Sequence, residues 1–136
     1  MAKSVLVDAG FLVALLNRRD AFHHWAVAQA AEHTPPWHSC ESVLSEAFHL
    51  LESAGAPSLS ELLSREALLS DFDLTENLEP TLKLMQKYSN IPMSLADACL
   101  VRMTEILPDP VLLTTDADFR VYRRSGRQIV PSLMPR

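Results

Sequence analysis

Glycine is scarce, with three residues in a chain of 136, and no stretch of low complexity occurs. A chain this poor in flexible, featureless sequence is expected to be ordered except at its ends. Cysteine is scarcer still: Cys40 and Cys99 stand alone, without metal-type spacing. One falls beside an expected strand end and the other in an expected buried helix. They read as free buried thiols in a reducing compartment rather than as a disulfide. A long apolar run is also missing. Residues 5–16, VLVDAGFLVALL, are interrupted by Asp8, preceded by the basic residue Lys3 alone and followed by Arg-Arg-Asp. That run is too short to span a bilayer and lacks the flanks of a signal peptide. A cytoplasmic protein with no membrane segment is expected. Finally, positive charge is lacking, with a formal net charge of −5. Binding to nucleic acid through the overall field usually needs a basic chain, so a polyanionic partner requires a local basic patch. Arg18 and Arg19 form one candidate, and Arg120, Arg123, Arg124 and Arg127 another; a plain solvated surface is the alternative.

What is present is a soluble, globular composition, 48% apolar and 21% charged. The length fits one domain, residues 1–136, able to bury roughly two-thirds of the surface of its unfolded chain. Residues 4–7, SVLV, read as a short buried strand. Residues 9–17, apolar on nearly every side, read as a core helix. Asp20 is placed to cap a second helix through Ala31, and WHSC to form a second strand. Residues 42–54 read as a helix ended by Gly55, with Val43, Ala47, Leu50, Leu51 and Ala54 on one stripe. Pro57, Ser58 and Ser60 open a further helix, LSELLSREAL, whose leucines are spaced for a partner or, the better reading, for the core. Residues 68–74 alternate like an edge strand. Thr75 is expected to cap a helix to about Tyr88, and Ser94 another that Pro108 and Pro110 end. Residues 111–115 read as a buried strand and 127–131 as the last one. Strands alternating with helices, two of them apolar without polar alternation, predict a three-layer α/β/α sandwich around a mainly parallel sheet.

In such a sheet, ligand sites form past the carboxyl ends of the strands. Asp8 follows the first strand directly and Asp116 follows the late strand in LLTTDADF. Two helical acids are also out of place: Glu46 beside an apolar stripe, and Asp97 among Leu95, Ala96, Ala98, Cys99 and Leu100. Each has a plain structural reading, as a turn residue, a rim residue or a capping partner of Ser94. Taken together, four carboxylates near one sheet edge repel one another and raise each other's pKa, which a divalent cation resolves. Oxygen-only ligation suits Mg²⁺ or Mn²⁺. Thr114 shares a strand face with Asp116 and is placed to hydrogen-bond a ligand carboxylate. Thr115 is expected to face the other way. Asp118 reads as a fifth ligand or as a solvent-facing turn acid. His23, His24 and His49 read as packing or surface residues.

Strand-end aspartates also occur in receiver domains and in aspartate-nucleophile phosphatases. Receivers need a Lys after a late strand and the phosphatases Asp-x-Asp after the first; this chain has Thr-Thr-Asp and Asp-Ala-Gly there. The ordered set VLVDAG, SCESVLSEAFHLL, PMSLADACLV and LLTTDADF instead resembles the PIN domain, and within it the small bacterial VapC-like proteins. The resemblance runs from Ser4 to about Val130. It implies a metal-dependent ribonuclease in which Asp8, Glu46, Asp97 and Asp116 bind Mg²⁺ or Mn²⁺ and carry hydrolysis, with Thr114 in support. Glu46 either binds metal or orients the attacking water. Gly10 stands where many members carry Ser or Asn, so any polar contact from that side chain is missing. Arg120, Arg123 and Arg124 are candidates for gripping RNA phosphates. The resemblance further implies a toxin restrained by an antitoxin, and a homodimer. A PIN fold that holds RNA or a partner without cutting is the alternative.

Overall fold

The computed structural model describes residues 2–136. Five parallel strands form one sheet in the order β3-β2-β1-β4-β7. They are β1 (Ser4–Val7), β2 (Trp37–Ser39), β3 (Leu68–Ser70), β4 (Pro110–Leu113) and β7 (Ser132–Leu133). The helices are α1 (Ala9–Leu16), α2 (His23–Glu32), α3 (Glu41–Ser64), α4 (Leu78–Lys87) and α5 (Leu95–Ile106). The chain steps outward from β1 to β2 to β3, then returns past β1 to β4. Right-handed crossovers therefore put α1, α2 and α3 on one face and α4 and α5 on the other. The packing agrees: α1 rests on α2 and α3, and α4 rests on α5. The expected three-layer sandwich is the observed one.

β1 and β4, at the centre, are buried by helices on both faces, which is why their sequences carry no polar alternation. Their register is direct, Val7 opposite Leu113, so the residues that follow them emerge side by side. Helix α1 contains no polar residue and packs inward through Phe11, whose ring meets Trp37 edge-on at 5.6 Å and Trp25 at 6.1 Å. Leu6, Leu12, Leu100, Leu112 and Leu113 complete the fully buried centre. Cys40 and Cys99 are buried and free. Among the described residues no helix is long and apolar enough to cross a membrane.

Several local expectations are corrected. The helix expected to stop at Gly55 breaks earlier, at Glu52 (φ 55, ψ −161), and resumes through Gly55 and Pro57 to Ser64. A continuous helix would drive the Pro57 ring into the carbonyl four residues before it, and the break lies just upstream. Leu50, expected on the buried stripe, is 53% exposed. Asp20 forms a turn, accepting from the Phe22 amide at 2.8 Å, and α2 starts after it without a side-chain cap. Thr75 lies in a turn braced by Asp73, and α4 begins only at Leu78. The segment expected as the last strand of the sheet joins a separate ribbon instead. There β5 (Arg123–Arg124) pairs antiparallel with β6 (Gln128–Ile129) across a loop where Ser125 and Gly126 both have positive φ. The sheet's last strand is β7, which begins four residues after β6 begins.

Gly55 is buried, and a Cβ added there would lie 2.8 Å from Leu51 Cδ2 and 3.0 Å from Leu51 Cβ. Helix propensity alone would make Gly55→Ala stabilising by about 1 kcal/mol. Overpacking costs about 1–3 kcal/mol and should win here, because the Leu51 Cβ cannot swing away. Urea denaturation is expected to show a net loss of about 1 kcal/mol or more; a gain would mean the kinked helix relaxes freely.

Candidate active site

The connections from β1 and β4 leave in opposite directions, one toward β2 and the other toward β7. The crevice between their carboxyl ends is thus the topological switch point of the sheet. A cavity of about 160 Å³ opens there. Asp8, Glu46, Asp97 and Asp116 all line it, with Gly10, Thr115 and an apolar wall that includes Val43, Leu50 and Leu100.

Asp8 leaves β1 and caps α1. Its Oδ1 accepts from the Phe11 amide at 2.8 Å. Its Oδ2 accepts from the Thr114 hydroxyl, across the β1–β4 register. The same Thr114 Oγ1 accepts from the Asp116 amide at 2.9 Å, so one hydroxyl joins two of the four acids. Asp116 in turn caps the short 3-10 turn Ala117–Arg120, its Oδ1 accepting from the Asp118 amide at 2.9 Å. Asp97 forms a capping box with Ser94 at the start of α5. Its Oδ2 also accepts from the Tyr122 hydroxyl at 3.3 Å. Glu46 is exposed on α3 and lines the cavity. Asp118 is not part of the lining; its carbonyl accepts from the Val121 and Tyr122 amides.

The electrostatics of the cavity are unbalanced. Among the described residues, no ion pair involves any of the four acids. Burial pushes the Asp8 carboxyl up to about 7, reinforced by Asp116 and Asp97 and opposed by the bonds from Thr114 and Phe11. Burial raises Asp97 as well; the backbone bond at Ser94 opposes this, and the charge of Asp116 adds to it. Carboxylates that line one cavity without a cationic side chain are the donor set that a hard divalent cation fits. Among the described residues, no group of three or more His, Cys, Asp or Glu side chains is drawn close enough to hold a metal ion.

Two placements differ from expectation. Thr115 does not face away: β4 ends at Leu113, strand alternation ends with it, and Thr115 lies on the cavity wall. Arg123 and Arg124 are largely engaged with the fold. Arg123 donates to the carbonyls of Arg120, Val121 and Tyr122, and Arg124 to Thr104 O at 2.5 Å and Gln128 Oε1 at 3.0 Å. Arg120 and Arg127 remain exposed. Tyr122 does not line the cavity but reaches it through Asp97, and neither residue type nor spacing singles it out. It is fully buried, stacked edge-on against Tyr88 and Phe119 at 5.1 and 5.3 Å. His23 bonds the Ala14 carbonyl, and His24 and His49 are exposed.

An acidic cavity at the switch point of a parallel sheet defines the class, an α/β protein with a carboxylate site between its central strands. The chain belongs to the PIN domain family, whose family model matches residues 5–125. Its fold is similar to the crystal structure of Mycobacterium tuberculosis VapC20, a sarcin-ricin loop cleaving toxin. The two share 22% identity with a TM-score of 0.69, over 87% of this chain and 94% of that one. No curated protein matches the sequence.

The raised Asp8 carboxyl gives a signed prediction for the metal-free protein. Its folded pKa, about 7, exceeds the ordinary 3.8. The fold is therefore favoured by this group fully below about pH 4, and that support is lost as pH rises through 7. Asp8→Asn keeps an acceptor for the Phe11 amide and removes the charge. In EDTA at pH 8 the variant should melt higher than the parent, by at most about 4 kcal/mol of stability. The advantage should shrink toward pH 4. A variant less stable than the parent at pH 8 would show that the carboxylate contributes more by its hydrogen bonds than it costs by burial.

Proposed function

We propose that this chain is one PIN-like domain that acts as a metal-dependent endoribonuclease, hydrolysing RNA phosphodiester bonds at Asp8, Glu46, Asp97 and Asp116. The observation that carries the reading is the convergence of those four acids, from β1, α3, α5 and the loop after β4, on one cavity without a cationic side chain to balance them. Membership of the PIN family and a fold shared with a toxin that cleaves the sarcin-ricin loop support it. Mg²⁺ or Mn²⁺ is the implied cofactor.

The residues divide the work by how firmly they are held. Asp8, Asp97 and Asp116 each accept hydrogen bonds that aim the carboxylate, and they are assigned to metal binding. A cation held there supplies Lewis-acid stabilisation of the phosphate and acidifies bound water. Glu46, on an exposed helical face, is assigned either to the metal or to orienting the attacking water. Thr114 keeps Asp8 and Asp116 in fixed relation. No side chain has to act as a covalent nucleophile. Arg120 and Arg127, rather than Arg123 and Arg124, are left to meet phosphates beside the cavity. By family resemblance we further assign the chain as the toxin of a toxin–antitoxin pair, cytoplasmic and homodimeric.

Purified protein incubated with a pool of structured RNAs is expected to cut in Mn²⁺ or Mg²⁺, to stop in EDTA, and to lose cleavage in Asp97→Asn. A folded parent that binds RNA without cutting in either metal would replace the nuclease by a binding module. Arg120→Ala with Arg127→Ala should lower RNA affinity. It should also reduce the slope of log K against log salt by roughly one for each phosphate no longer neutralised. An unchanged slope would remove both arginines from the interface.

A further inference from the structure

Gly10 and Thr115 occupy one space. A Cβ built on Gly10 would lie 2.2 Å from Thr115 Oγ1 and 3.6 Å from Asp8 Oδ1. No side chain at position 10 fits while the Thr115 hydroxyl keeps this place. The glycine therefore does not merely lack a polar group. It admits one from the loop after β4.

That hydroxyl lies on the wall of the carboxylate cavity, and it has no hydrogen-bond partner among the described residues. The contrast with Thr114 is informative. Thr114 is fully buried, with its hydroxyl committed to Asp8 and to the Asp116 amide. Thr115 is half-buried and uncommitted. A hydroxyl can donate once and accept twice, and none of that capacity is taken up by a partner among the described residues of the cavity wall. The other uncommitted polar group on the wall is Glu46, which belongs to α3 across the cavity.

We infer that Thr115 is a positioning residue for hydrolysis: its hydroxyl accepts a hydrogen bond from the attacking water and fixes that water in line with phosphorus. The inference rests on the nuclease reading above. In the step itself the water oxygen forms the new bond to phosphorus as the ester P–O bond breaks, the water gives up a proton to solvent and the leaving oxygen takes one up. Thr115 remains neutral and unreacted throughout. It acts on the orientation of the nucleophile, so it belongs to kcat and not to ground-state binding.

The test uses the full chain and the same RNA pool in Mn²⁺. Thr115→Val keeps the shape and removes the hydroxyl; Thr115→Ser keeps the hydroxyl. Loss of one hydrogen bond to the reacting group should lower kcat roughly tenfold in the valine variant, with KM and calorimetric Mn²⁺ affinity unchanged and the serine variant close to the parent. Gly10→Ala, which adds no functional group, should also lower kcat, because its Cβ turns the Thr115 hydroxyl away. In a Thr115→Ala background the same Gly10→Ala change should have no further effect on kcat, and thermal melts should show it better tolerated there than in the parent. Equal cleavage by the parent and Thr115→Val overturns the inference alone. A rate loss that appears only through KM or Mn²⁺ affinity overturns it as well. A parent that cuts nothing in Mn²⁺ overturns the nuclease reading, and this inference with it.

Discussion

The Asp8 carboxylate is the contact on which fold and site both depend. One of its oxygens closes the first turn of α1 and the other receives the hydroxyl of Thr114, so it ties the helix after β1 to the strand beside β1. An N-cap of this kind contributes about 1 kcal/mol, and a hydrogen bond to a charged group about 1.5–3 kcal/mol. The sum does not win. Burial, with two neighbouring acids, lifts the carboxyl to about 7 in spite of both bonds. Above pH 7 the fold thus holds a charge that it would be more stable without, in the crevice where the connections of the sheet diverge. Residues kept at such a cost are the ones expected to do chemistry.

The placement of Asp8 and Asp116 was legible because parallel strands obey few rules. Two apolar segments without alternation had to be central, and whatever followed them had to meet at one edge. Asp97 was legible for a similar reason, as a charge among apolar neighbours. What stayed hidden was decided by tertiary context. Strand alternation would send Thr115 to the far face, but alternation ceases two residues before it. The break in α3 falls at Glu52, a residue with no preference for positive φ, and not at the glycine three positions on. The ribbon of β5 and β6 is signalled by Ser-Gly between short polar segments, a weak pattern beside the apolar Ile-Val that follows. Tyr122 gives no signal by type or spacing, since its role depends on α5 lying against the loop after β4.

The basic cluster shows why a charge count along the chain does not locate a surface. Arg123 spans three carbonyls at the end of the 3-10 turn, and Arg124 anchors the ribbon to the carbonyl of Thr104 on α5. The chain emerging from the site must turn sharply and leaves carbonyls unpaired, and a guanidinium with five donors is suited to gather them. Two of the four charges are therefore absorbed by the backbone that carries Asp116 and Tyr122 into place.

Structural and functional readings of an acid are often set against each other, and Asp97 shows that they need not compete. It is a complete capping box with Ser94, which accounts for its place at the start of α5. The same carboxylate faces the cavity and accepts from Tyr122 on the far side. Capping fixes the side-chain torsions from below, and the tyrosine limits them from above. Both contacts restrict the carboxylate before any ligand arrives, which lowers the conformational entropy to be lost on binding one. Asp8 and Asp116 repeat the device, each being the cap of the element that begins directly after it. A helix start is a position where an acid is favoured by local physics, and three such starts brought to one sheet edge give a preorganised acidic site. Glu46 alone lies outside this scheme, five residues into α3 and exposed. Its exposure separates it from the other three, each of which is a capping acid at the start of an element.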